Sequence, residues 1–68
     1  MRVLIQNRES GEYLAPNDTW TPEADYARVF PSILQALHYK NAKALRHAQI
    51  ILKFAQAEFD IELSTSAE

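Results

Sequence analysis

Ile50-Ile51-Leu52-Lys53-Phe54-Ala55-Gln56-Ala57-Glu58-Phe59-Asp60-Ile61-Glu62-Leu63 is the stretch whose reading decides the fold. As a helix, Leu45, Ala48, Leu52, Ala55 and Phe59 fall on one stripe, and alanine favours that conformation. As strands, Ile50, Leu52 and Phe54 share one face, and Phe59, Ile61 and Leu63 alternate with Glu58, Asp60 and Glu62. A two-residue loop at Gln56-Ala57 then sets Phe54 opposite Phe59, Leu52 opposite Ile61 and Ile50 opposite Leu63. Lys53 meets Asp60 on the other side, so apolar residues face apolar ones and opposite charges meet. A helix would scatter the three carboxylates to three directions. The strand reading is preferred, although its turn lacks the Gly or Asn that usually makes one.

Working back toward the N-terminus, Ser32 and Gln35 have the spacing of a helix cap with its reciprocal partner. Ile33, Leu34, Leu37, Ala44 and Leu45 follow near helical spacing, which predicts a helix ending between 41 and 45. Before it, Thr21-Pro22-Glu23 reads as the start of a brief helix, with Thr21 capping and Pro22 in the first turn, stopped by Phe30-Pro31. At the start of the chain, residues 2–8 form a strand around Val3-Leu4-Ile5. Gly11, the single glycine, turns the chain into a short return strand at Glu12–Ala15, which Pro16-Asn17-Asp18 ends. The sum is a ββ-α-ββ domain of class α+β: a four-stranded antiparallel sheet with one main helix packed on one face. The other face must be solvated, covered by a ligand or paired with a second chain.

The hairpin residues Val3, Gln6, Asn7, Ser10, Gly11, Tyr13 and Leu14 are followed by Trp20-Thr21, then Asp25, Ala27, Phe30, Ser32 and Ala36, then Ile50, Leu52-Lys53-Phe54 and Asp60-Ile61. This order resembles small bacterial and phage-related ββαββ domains that have no assigned activity. The likeness spans about residues 1–63, rests on short motifs, and departs at Ala55-Gln56-Ala57. It implies the fold and no catalytic residue or ligand.

With 68 residues, 47% hydrophobic and 24% charged, the chain is one small domain over 1–63 with a fraying tail at 64–68. A core of this size supplies about 3–5 kcal/mol. Without cysteine there is no disulfide or thiolate metal site, and no cofactor or metal is expected. The lack of a signal-like or membrane-length apolar run fits a cytoplasmic protein without a membrane partner, and the resemblance implies a bacterial one.

Charge is segregated. From Tyr26 to Ala57 there is no carboxylate, while Arg28, Lys40, Lys43, Arg46 and Lys53 all lie there. All nine carboxylates occupy the flanks, with only Arg2 and Arg8 among them. The formal net charge of −2 conceals this local field.

Lys40, Lys43, Arg46 and His47 form a basic cluster suited to an acidic protein or to nucleic acid; equally, lysines at a helix C-terminus complement its dipole. A pI near 5.6 disfavours nucleic acid. Trp20 is either a plug for the end of the small core or an interface residue. His38 and His47 would face opposite ways on one helix and read as ordinary histidines. Glu58, Asp60 and Glu62 form a row rather than a cage, so the row reads as a solvated strand face. No catalytic set converges. The expected function is a non-enzymatic protein-interaction domain that forms a homodimer. The alternative is an anion-binding module using residues 40–47.

Overall fold

The computed structural model describes residues 1–54 and 61–63. In chain order these form β1 (Arg2–Asn7), β2 (Tyr13–Leu14), β3 (Trp20–Thr21), a 3₁₀ turn (Ala24–Tyr26), α1 (Ile33–Ala42), β4 (Ala48–Lys53) and β5 (Ile61–Leu63). The strands make one antiparallel sheet ordered β3-β2-β1-β4-β5. The class is α+β, with five strands where the sequence predicted four.

The deciding stretch is a strand pair in the expected register. Ile50 lies opposite Leu63 and Leu52 opposite Ile61. The Gln56-Ala57 turn, the Phe54–Phe59 and Lys53–Asp60 pairs and the 64–68 tail lie outside the described residues. β1 is the centre of the sheet and pairs with β4 along its length, from Arg2 opposite Lys53 to Asn7 opposite Ala48.

Both hairpin turns follow from local chemistry. The Asn7 side chain accepts the N–H groups of Glu9 and Ser10, and Gly11 completes the loop at φ +78°. The next loop is Pro16-Asn17-Asp18. The Asp18 N–H donates to the Ala15 carbonyl, and the Ala15 N–H donates to Thr19 at 2.7 Å. Asp18 sits at φ +62°, the left-handed position that ends a three-residue hairpin loop.

This loop overturns the predicted helix start. Thr21 is a strand residue opposite Tyr13, and Trp20 lies opposite Leu14. The Thr21 hydroxyl does accept the Glu23 N–H, but only a 3₁₀ turn follows, without a side-chain cap. Returning the chain to β2 buries part of Trp20 against the core, and too few residues remain before Pro31 for an α-helix. Where Pro16 takes β2 off the ladder, Phe30 takes its place beside β1, its N–H donating to Val3 at 2.9 Å.

Strand alternation builds two cores. Under α1, and with its Ala36, lie Val3, Ile5, Leu14, Phe30, Ala48, Ile50 and Leu52. On the other face Leu4 and Ile51 are roofed by Ala27, with Ala24 and Tyr13 beside them. The chain therefore covers the middle of this second face itself. Around it, Gln6 and Gln49 hydrogen-bond side chain to side chain at 3.0 Å.

α1 begins as predicted, with the Ser32 hydroxyl accepting the Gln35 N–H at 3.2 Å. Its apolar stripe is as predicted only in part: Leu37 and Leu45 pack against the core. Ile33 and Leu34 are 40% and 61% exposed, whereas Ala36 and Lys40 are buried. The helix enters the core through Ala36, its smallest side chain, with Leu37 and Tyr39 packed beside it. It ends in a Schellman motif: Leu45 N–H donates to the Lys40 carbonyl and Ala44 N–H to Asn41, with Ala44 at φ +54°. Ala44, counted in the predicted stripe, is thus the left-handed residue that follows the Lys43 cap.

Candidate functional site

The β2–β3 hairpin and the C-terminal end of α1 enclose a cleft of about 180 Å³ lined by Leu14, Asp18, Trp20, Tyr39, Lys43 and Leu45. Each wall has an evident origin. Leu14 and Trp20 are a cross-strand pair on the helix-covered face, and both belong to or pack on the core. Tyr39 and Lys43 are four apart at the end of α1, and Leu45 is returned against the core by the helix-ending turn. The non-glycine residues with positive φ in the described chain, Asp18 and Ala44, stand on either side of it. Backbone of this kind is disfavoured and persists where surrounding contacts hold it.

Those contacts are polar. The Tyr39 hydroxyl donates to the Asp18 carboxylate, bridging 21 positions of sequence, and the Lys43 ammonium lies 3.6 Å from the other carboxylate oxygen. The Tyr39 hydrogen bond, with Lys43 and Arg28 nearby, holds the Asp18 pKa below the usual carboxylate range. The same bond to a carboxylate pushes the Tyr39 phenol up. The Arg28 guanidinium carbon stands 4.6 Å from the Tyr39 ring centre and 5.3 Å from that of Phe30. Phe30 and Tyr39 themselves meet at 5.4 Å in a tilted pair. Arg28 and Lys43 thus stand against one carboxylate, leaving local positive charge beside an apolar recess.

Of the residues singled out from the sequence, Trp20 and Lys43 meet at this cleft. Lys40 is 6% exposed and thus buried on α1. Arg46 and His47 are exposed on the segment entering β4, where the His47 carbonyl accepts the Arg8 N–H at 2.7 Å and the Arg46 carbonyl lies 3.5 Å from the Arg8 guanidinium. His38 is exposed on α1. Of the acidic row only Glu62 is described; it is exposed, and it shares a face with Ile51. Among the described residues no group of three or more His, Cys, Asp or Glu side chains is placed to hold a metal. No helix of the described residues is long and apolar enough to cross a membrane.

Sequence reasoning missed Asp18, Arg28 and Tyr39 as members of one site. Asp18 read as a turn former, which it is, but its partners come from α1. The available signal was Pro16-Asn17-Asp18 as a three-residue hairpin loop, which would have placed Trp20 opposite Leu14.

No protein-family model matches the sequence, and neither the curated proteins nor the solved structures contain a match. The functional reading rests on the cleft itself.

Proposed function

We propose that this chain is a small non-enzymatic interaction domain that receives one side chain of a protein partner in the cleft between Trp20 and Tyr39. The observation that carries this is the cleft's size and lining. About 180 Å³ is less than the roughly 300–1,000 Å³ of sites that enclose a small molecule. It suits a single apolar side chain, and a rigid aromatic wall with a charged rim is how interface anchors are received. The surplus charge of Arg28 and Lys43 favours an acidic partner. Nucleic acid fits less well, because Lys40 is buried and the sequence pI is near 5.6.

The test is site-specific photo-cross-linking in the native host. A benzoylphenylalanine at Asn17, exposed on the loop beside the cleft, is expected to capture a partner that the same group at Glu62, on the far edge strand, does not. Equal capture at both positions, or capture at Glu62 alone, contradicts the reading.

A second reading, self-association, is favoured by Val29, Ile33 and Leu34, which are 53%, 40% and 61% exposed around the start of α1. It predicts a concentration-dependent dimer in light scattering that Leu34→Glu dissociates. A monomer at all micromolar concentrations removes it.

A further inference from the structure

We infer that the open edge of β3 at Trp20 is a strand-addition site for an extended acidic peptide segment, one of whose apolar side chains enters the cleft. This rests on the cleft being the recognition surface, and goes beyond it by naming the partner's backbone form and charge. β3 is the outermost strand on its side of the sheet. The Ala15 N–H donates to the Thr19 carbonyl, so Ala15 and Thr19 form a hydrogen-bonded position. The next pair, Leu14 with Trp20, is then a non-hydrogen-bonded one. In such a pair the backbone N–H and C=O point away from the neighbouring strand. Those of Trp20 therefore face the open edge. Among the described residues no strand pairs with that edge.

A peptide laid along this edge would exchange both its bonds with Trp20. The residue opposite Trp20 would send its side chain to the same face as the Trp20 side chain, because directly paired residues share a face. That face holds the cleft. Residues two positions away on the peptide return to the same face. That face carries Lys43 on the cleft lining, with Arg28 further in against the Tyr39 ring, and one Asp18 carboxylate does not balance the two charges. Carboxylates at those positions complete the complementarity. The edge is short: Asp18 turns inward to Ala15, and Pro22 has no N–H to give. Backbone pairing is thus confined to the neighbourhood of Trp20, and the side chain in the cleft must supply much of the affinity.

The test uses the full chain, isotope-labelled, and peptides of about seven residues, the length of an ordinary strand. One peptide alternates glutamate with valine around a central phenylalanine. A second is identical but carries backbone N-methyl groups on its pairing edge. A third replaces glutamate by lysine. The expected result is that the first shifts the Trp20 amide and the emission of Trp20, the only tryptophan, whereas the other two bind at least about tenfold more weakly. Lys43→Glu should weaken the first peptide by about tenfold while leaving the amide spectrum of β1 and β4 in place. If the N-methylated peptide binds the cleft equally well, strand addition is wrong and the cleft reading survives. If the lysine peptide binds equally well, the acidic specificity is wrong. If the first peptide perturbs only residues remote from Trp20, or none, the inference fails; cross-linking at Asn17 then decides the cleft reading separately.

Discussion

Ile50 and Ile51 are neighbours in β4 and point to opposite faces of one sheet. Ile50 enters a core roofed by α1, with Val3, Ile5, Leu14, Phe30 and Leu52 around it. Ile51 sits with Leu4 beneath Ala27, at the edge of a 3₁₀ turn. Both are almost wholly buried, yet the first roof is a capped helix and the second is a few small residues. The described residues thus set a helix over one face of the sheet and a crossing loop over the middle of the other. The cleft lies on the helix-covered face, where the hairpin and the helix end meet.

The sharpest way to break this comparison is to remove the same atoms from each side. Ile50→Ala should cost about 4 kcal/mol and Ile51→Ala about 2.5 kcal/mol, since the thinner roof collapses more readily into the space left. With about 3–5 kcal/mol available to a domain of this size, the first variant should be about half unfolded at 25 °C and the second mostly folded. Urea midpoints measure both; equal losses would show that the two roofs are equivalent.

Next in size is the helix-ending turn. Ala44→Gly removes the penalty of a left-handed alanine and should stabilise the protein by about 1 kcal/mol. A loss of stability on urea unfolding would mean that Ala44 is not held in that conformation.

pH probes the rim of the cleft. The folded pKa of Asp18 is lowered, so its contribution is present above about pH 4 and is lost as pH falls through the folded value. The folded pKa of Tyr39 is raised, so its contribution is present below about pH 10 and is lost as pH rises through that raised value. Asp18→Asn should flatten the acid limb of the stability profile and return the Tyr39 ring titration, followed by NMR, toward the ordinary phenol. An unchanged Tyr39 titration would show that the two side chains do not meet.

The smallest effect belongs to the other face. Arg2 and Asp25 approach at 3.6 Å, but the Asp25 side chain is 88% exposed. Asp25→Ala should therefore change stability by less than about 0.5 kcal/mol, as exposed ion pairs do. A larger loss in thermal unfolding would mean that the 3₁₀ roof depends on that pair.

How much of this was legible in the sequence differs by region for physical reasons. The β4–β5 register could be read because strict alternation leaves one pairing that keeps Ile50, Leu52, Ile61 and Leu63 on one face. Ser32 could be read because a cap acts on its own next turn. Trp20-Thr21 could not, because Thr-Pro-Glu carries a genuine local helix-start signal, and it loses to pairing with β2 and to partial burial of the indole. The helix stripe could be read in part: Leu37 and Leu45 pack on the core, whereas the α1 residue inside it is the small Ala36, and Ile33 and Leu34 stay exposed. The cleft could be named only in pieces. Trp20 and Lys43 stood out by residue type, whereas Asp18, Arg28 and Tyr39 acquire meaning from contacts far apart in the chain.

The account turns on Trp20 lying in an edge strand opposite Leu14, since this builds the cleft wall and turns the Trp20 backbone outward. The direct measurement is the proton NOE between the α-protons of Leu14 and Trp20. In a non-hydrogen-bonded antiparallel pair the α-carbons are only about 4.5 Å apart, so a strong cross-peak is expected, together with a rapidly exchanging Trp20 amide. No such cross-peak, with helical connectivities running from Thr21 toward Arg28 instead, would contradict it.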